Sequence, residues 1–256
     1  MAGSSLVPTR RTQAATLTVL LLLAAAAWAL LLWQSRMTGG AMGLTMGLSA
    51  PLFLAVWVAM MVAMMFPAAW PMLQMFQRIA VDKRAQGLEF APVWIFVAGY
   101  LVVWTLFGAL LFLAASGVDR LAERSMWLMG NGPRLGGIIL VLAGVYQLTP
   151  LKRACLSKCR SPISFLLTCW REGKGGAFRM GMRHGSFCVG CCWAMMLVLF
   201  VVGVMSIPWM ALLTSVIFAE KNVRFDRITT AALATLFVAA GLALIAIPEI
   251  LPSIAF

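Results

Sequence analysis

The feature that most constrains this chain is a succession of apolar runs, each close to the length needed to cross a bilayer. They lie at 14–33, 51–75, 91–115, 135–151, 187–205 and 229–250. About 20 apolar residues in a helix cover the hydrocarbon layer. Within lipid every backbone N–H and C=O must be satisfied inside its own segment, so each run is expected to be helical. The fold class that follows is all-α: a polytopic membrane helix bundle with about six transmembrane helices. Composition agrees. Charged residues make up only 11% of the chain and mean hydropathy is +0.96, whereas a soluble domain carries about 25% charged residues. A multi-domain soluble enzyme, a disordered chain and a secreted disulfide scaffold are excluded. A further apolar run at 208–221 is short for a crossing and is read as an interfacial or re-entrant helix.

The expected organisation is a cytoplasmic N-terminal tail (1–13), one transmembrane helical domain (14–250) holding a Cys-rich loop at 152–186, and a C-terminal tail (251–256). The first run follows Arg10-Arg11 but is too long for a signal peptide and lacks a clear cleavage site, so it reads as an anchor. The net charge of +12 comes from 20 Lys and Arg against 8 Asp and Glu. With six crossings, thirteen of the cations fall on the side of the N-terminus and seven on the other. The positive-inside bias then puts both termini in the cytoplasm. The same charge suits anionic lipid headgroups, and no nucleic-acid partner is expected.

All six cysteines fall between Cys155 and Cys192. Cys155 and Cys159 are spaced i,i+4; Cys188, Cys191 and Cys192 stand at i, i+3 and i+4. On helices each set shares a face. The two sets flank one loop and are expected to meet at the inner membrane edge. Converging thiols make a soft-metal site suited to Cu(I), Zn(II) or an iron–sulfur cluster. The single histidine, His184, precedes Cys188 by one helical turn and is either a ligand or a loop residue. The plain alternative for the cysteines is packing as small apolar side chains. That suits a scattered set better than five residues at ligand spacings.

Methionine supplies a second constellation. Met60/Met64 and Met61/Met65 form two i,i+4 pairs side by side, just before Pro67, which is expected to kink the helix and free carbonyls. Met195-Met196 follow the cysteines, and Met37, Met42 and Met46 line a Gly-rich loop. Thioethers are soft ligands; methionine is also a flexible core filler. Both readings stand. Glu220-Lys221 closes the 208–221 run and reads either as an interface mark or, through Glu220, as a functional intramembrane carboxylate. With one histidine, no HExxH and no P-loop, hydrolytic zinc chemistry and nucleotide hydrolysis are not expected.

Four stretches carry a resemblance: Met60-Met61-Val-Ala-Met64-Met65-Phe-Pro67-Ala-Ala-Trp-Pro71-Met72; Tyr146-Gln-Leu-Thr-Pro150-Leu-Lys152-x-x-Cys155-Leu-x-x-Cys159-Arg-Ser-Pro162; Gly181-x-x-His184-Gly185-x-x-Cys188-x-Gly190-Cys191-Cys192-Trp193-x-Met195-Met196; and Ala219-Glu220-Lys221. From about residue 51 to the end of the last run, the chain resembles the bacterial family of predicted metal-binding integral membrane proteins, some called copper chaperones. That family includes the accessory membrane protein that loads a bacterial tyrosinase with copper. The resemblance implies residence in the bacterial inner membrane and delivery of Cu(I) to a recipient cuproenzyme or a soluble copper carrier, with zinc the lesser candidate. The expected metal-site residues are Cys155, Cys159, Cys188, Cys191, Cys192, His184, Met60, Met61, Met64 and Met65. No catalytic residue is expected. Because Cys188-Val-Gly-Cys191 is a CxxC, the competing reading is a membrane thiol–disulfide relay with Cys155/Cys159 as the second pair.

Overall fold

The structure, a computed structural model, describes residues 10–38, 44–45, 47–87, 89, 91–204, 206–223 and 227–248. Among these, all regular structure is helical: α1 (Arg10–Thr38), α2 (Ala50–Ala85), α3 (Val93–Arg124), α4 (Met126–Gly130), α5 (Gly132–Gln147), α6 (Pro150–Arg160), α7 (Pro162–Cys169), α8 (Gly173–Val202), α9 (Ile207–Asn222) and α10 (Arg227–Ala246). Four helices are long and apolar enough to cross a membrane: α2, α3, α8 and the stretch Thr18–Arg36 of α1. A fifth is reached if α5 and α6 count as one broken span. The last apolar run gives only the shorter helix Thr230–Ala246.

Local chemistry explains the breaks. Thr149 caps α6, its hydroxyl accepting the Lys152 N–H, and Pro150 opens that helix at a position where its missing N–H costs nothing. Residues preceding a proline avoid the helical region. The chain therefore turns 64° between α5 and α6, and the run expected at 135–151 ends as a straight helix at Gln147. Pro67 and Pro71, by contrast, lie inside an unbroken α2. Pro67 cannot donate to the Ala63 carbonyl one turn back. That carbonyl instead accepts Trp28 Nε1 of α1 at 3.2 Å, so the proline creates a docking point between helices. The expected loop 152–186 is itself helical, made of α6, α7 and the first half of α8.

Helix directions follow from close contacts. Small residues let α3 and α8 touch backbone to backbone: Gly99 abuts the Phe178 carbonyl, Gly181 the Phe96 carbonyl and Gly185 the Tyr100 carbonyl. The register rises together, so α3 and α8 are parallel. On α5, Gly136 meets Val201 and Tyr146 meets Gly190, so α5 runs against α8. Gly137 meets Gly241 and Ile245, while Gly144 meets Ala234 and Val238, so α5 also runs against α10. Hence α10 is parallel to α8, and α9 must carry the chain back between them. Gly203, at φ 97°, makes the reversal at the end of α8. By the end of α9, Lys221 has returned to the level of Cys188. The segment expected to be interfacial or re-entrant forms α9, a helix of 16 residues or about 24 Å that runs back alongside α8.

The same directions separate the two ends of the helix bundle. α1 runs against α2, with Trp28 against Ala63 and Leu20 near Trp70. α2 runs against α3, with Trp57 against Trp104 and Phe76 against Phe96. The Arg10 end of α1 and the Ala246 end of α10 therefore lie at opposite ends of the bundle.

Candidate metal centre

The centre forms where α8 turns from polar to apolar. Its first half holds Lys174, Arg179, Arg183 and His184; from Phe187 onward it is apolar. At this junction Cys188, Cys191 and Cys192 share one buried face, as their spacing implies, with all three Sγ atoms within 4.8 Å of one another. The Cys191 and Cys192 thiols both donate to the Cys188 carbonyl, at 3.1 and 2.8 Å. All six cysteines are free.

The bend at Thr149 brings the second set in. It lays α6 along α8, so that Cys159 Sγ lies 3.9 Å from Cys191 Sγ. Cys155 rests on Gly190, where a Cβ would come within 2.7 Å of its sulfur. Four of the five expected cysteines thus have their sulfurs close together, and Cys155 lies alongside at Gly190. Cys169 stands apart, beside Arg171, Arg179 and Arg183 in a separate shallow cavity.

His184 is buried but stands apart from the sulfur group. Its ring packs among Phe96, Tyr100 and Phe165 at centroid distances of 5.5–5.8 Å, and among the described residues its Nδ1 has no hydrogen-bond partner. Met60, Met61, Met64 and Met65 are all fully buried in the core that also holds the cysteines. Met65 is joined to the centre through an intermediary, its sulfur lying 3.9 Å from Lys221 Nζ. Of the loop-one methionines, Met42 and Met46 lie outside the described residues, as does the Met37 side chain.

Sequence reasoning singled out Glu220 but gave Lys152, Lys221 and Tyr100 no role at the site. Lys221 Nζ lies 2.9 Å from Cys188 Sγ, and the Tyr100 hydroxyl lies 3.0 Å from the same sulfur. Lys152, counted from sequence as a loop charge, is 1% exposed. It forms a buried ion pair with Glu220, its Nζ 2.7 and 2.8 Å from the two carboxylate oxygens, and also donates to Gln147. Arg160 donates to the Glu220 backbone carbonyl. Adjacent charges closing the 208–221 run were the only signal. Lys221 and Glu220 point to different partners, one to sulfur and one to Lys152.

A family model described as a copper chaperone, PpoB2, matches residues 54–244. The chain belongs to this copper chaperone family. Comparisons with curated proteins and with solved structures find no match. The matched stretch runs from α2 into α10 and includes every sulfur of the centre. In this member of the family the donor set is soft. A buried triad of thiols, a fourth thiol on a second helix and thioethers behind them favour a monovalent, polarisable cation. Among the described residues, no carboxylate joins the sulfur triad. The charge nearest it is the Lys221 ammonium, a partner for thiolate sulfur.

Proposed function

We propose that this protein sits in the bacterial inner membrane, binds Cu(I) as cargo at its thiol cluster and passes it to a partner cuproenzyme. The observation that carries this is the convergence of Cys188, Cys191 and Cys192 within 4.8 Å, with Cys159 a further 3.9 Å from Cys191. Cys155, over Gly190, is the sulfur through which copper moves on or off. His184, Met60, Met61, Met64 and Met65 form the outer tier around the thiols, with Met65 joined to them through Lys221. Thioethers bind Cu(I) without losing a proton, so they suit passage rather than storage. The cluster acts as a carrier, not a catalyst.

Orientation follows from the helix directions. With α9 as a crossing, sixteen of the twenty Lys and Arg residues fall at the end of the bundle holding the N-terminus and the α6–α7 segment; four fall at the other. That bias is steeper than the one six crossings give. It supports a cytoplasmic N-terminus, a C-terminus across the membrane and a thiol cluster near the cytoplasmic face.

The test is anaerobic Cu(I) loading of the purified full chain followed by elemental analysis. Cys191→Ser, which removes the sulfur shared by both helices, is expected to lose bound copper. Cys169→Ser is expected to keep it. Equal copper in both variants and the wild type would remove the thiol site. A copper-free protein with a titratable Cys159–Cys191 dithiol would favour the redox relay. For orientation, an impermeant thiol reagent applied to intact cells is expected to label Ser253→Cys and not Ser4→Cys.

A further inference from the structure

Beside the thiol cluster, between α6, the end of α9 and the start of α10, lies a cavity of about 850 Å³. That is within the ordinary size of a small-molecule site, roughly 300–1,000 Å³. Four cationic side chains line it, Lys152, Arg153, Arg160 and Lys221, together with the polar groups of Ser157 and Asn222; among the described residues no carboxylate does. Their charges are committed differently. Lys152 is neutralised by Glu220 behind the wall. Lys221 faces Cys188. Arg160 uses its Nε on a backbone carbonyl, and Arg153 is exposed. Among the described residues neither arginine meets a carboxylate. Among the described residues the cavity therefore holds two guanidiniums outside any ion pair, Arg153 free of acidic neighbours and Arg160 close to Glu220, and guanidiniums pair naturally with carboxylate or phosphate oxygens.

We propose that this cavity binds a small anionic thiol, the form in which Cu(I) reaches or leaves the cluster. The proposal deepens the copper reading and rests on it. Lys221 is the link: it lines the cavity and touches Cys188 Sγ, so an occupant lies one side chain from the triad. Soft Cu(I) travels bound to thiolates, and a bis-thiolate complex carrying carboxylates is strongly anionic. Arg153 and Arg160 would hold the carboxylates and leave the metal facing the cysteines. The step is ligand exchange with copper remaining Cu(I). Each cysteine sulfur forms a Cu–S bond as one carrier Cu–S bond breaks, and the proton released by the cysteine leaves on the carrier thiol. An anionic lipid headgroup shares the recognising chemistry, so the experiment separates the two.

The probe is S-methylglutathione, an anionic peptide with its thiol blocked, titrated calorimetrically into the copper-free full chain in neutral detergent. Binding is expected in the wild type, weakened about fivefold in Arg153→Gln and further in Arg153→Glu, with the difference fading at high salt. The Arg153 side chain makes no hydrogen bond among the described residues, so these variants are expected to fold; wild-type thermal stability checks this. No binding to the wild type at millimolar peptide, or equal binding in all three, overturns the proposal. So does phosphatidylglycerol that co-purifies with the wild type and not with Arg153→Glu while the peptide fails to bind: the cavity then belongs to a lipid headgroup. A second arm follows copper uptake. Transfer from Cu(I)–glutathione is expected to slow in Arg153→Glu, while transfer from cationic tetrakis(acetonitrile)copper(I) does not; equal slowing from both carriers counts against anion recognition. If the wild type takes copper from neither, the copper reading fails, and the S-methylglutathione titration still decides the anion site.

Discussion

Replacing Lys152 by methionine leaves the Glu220 carboxylate buried opposite an apolar side chain. The pair is dry, its two side chains 2% and 4% exposed, and both carboxylate oxygens lie within 2.8 Å of Nζ. Breaking such a pair from one side costs about 3–5 kcal/mol, because the remaining charge loses its direct partner while buried; Arg160, close to Glu220, puts Lys152→Met toward the lower end. Glu220→Met strands the ammonium instead, with only the Gln147 amide oxygen as acceptor, and the same range of about 3–5 kcal/mol applies. The double variant Lys152→Met/Glu220→Met strands no charge. It leaves only Gln147 unpartnered, a cost of about 1–3 kcal/mol. Simple addition of the single costs gives roughly 6–10 kcal/mol, so the expected coupling is on the order of 5 kcal/mol. At roughly 2–4 °C per kcal/mol for a chain of this size, each single variant drops in Tm by roughly 6–20 °C, and the double by much less. Thermal unfolding of the detergent-solubilised chain, followed by tryptophan fluorescence, reads this directly. A double variant no more stable than the weaker single would refute the argument: the pair would then be solvated, and α9 would be held by its apolar face alone.

Other perturbations separate the remaining roles. Lys221→Met is expected to fold and to bind Cu(I) at least about tenfold more weakly in a chelator competition, a loss of about 1.4 kcal/mol, since the anionic copper–thiolate complex loses its buried counter-charge; unchanged or tighter binding would make Lys221 a plug rather than a partner. Gly181→Ala drives a methyl into the Phe96 carbonyl of α3 and is expected to cost about 1–3 kcal/mol or more. Gly117→Ala, on the same helix pair but facing open space, should be neutral or stabilising by up to about 1 kcal/mol; equal Tm values for the two would remove the close-packed α3–α8 contact. Met60→Leu and Met65→Leu both conserve volume and should each cost under about 1.5 kcal/mol. Only Met65→Leu, beside Lys221, is expected to speed copper loss to a chelator; identical off-rates would reduce the methionine stripe to packing.

The sequence revealed what periodicity encodes. The spacings of Cys155/Cys159 and Cys188/Cys191/Cys192 each define a helix face, and both faces meet. The burial of Met60–Met65 also follows from an apolar helix that is buried all round. Lys152 was hidden because segment counting treats a cation between apolar runs as solvated. Its burial depends on Glu220, 68 residues away, which no local pattern reports. Tyr100 gave no signal, since one aromatic in an apolar helix looks like any other. The return direction of α9 was not legible in the sequence, because its 16 residues fall short of an isolated span. Packed against α2 and α8, it ends instead on Glu220 and Lys221, whose charges find Lys152 and Cys188.

Those two residues also set the charge of the centre. Lys152 and Glu220 cancel, leaving Lys221 as one buried positive charge against the sulfurs. A buried site is cheapest when its occupant neutralises what is already there. Cu(I) held by two thiolates carries one negative charge, and Lys221 balances it, with a third thiol able to remain protonated nearby. Zn(II) on four thiolates carries two negative charges and leaves the site unbalanced. Zn(II) on three thiolates would balance but needs a neutral fourth donor. His184 is locked among three aromatic rings, and the Met65 thioether is a poor match for zinc. The single lysine therefore acts with sulfur softness rather than beside it. Softness favours copper over harder ions, and the charge count favours the monovalent dithiolate over the zinc complex that softness alone would admit.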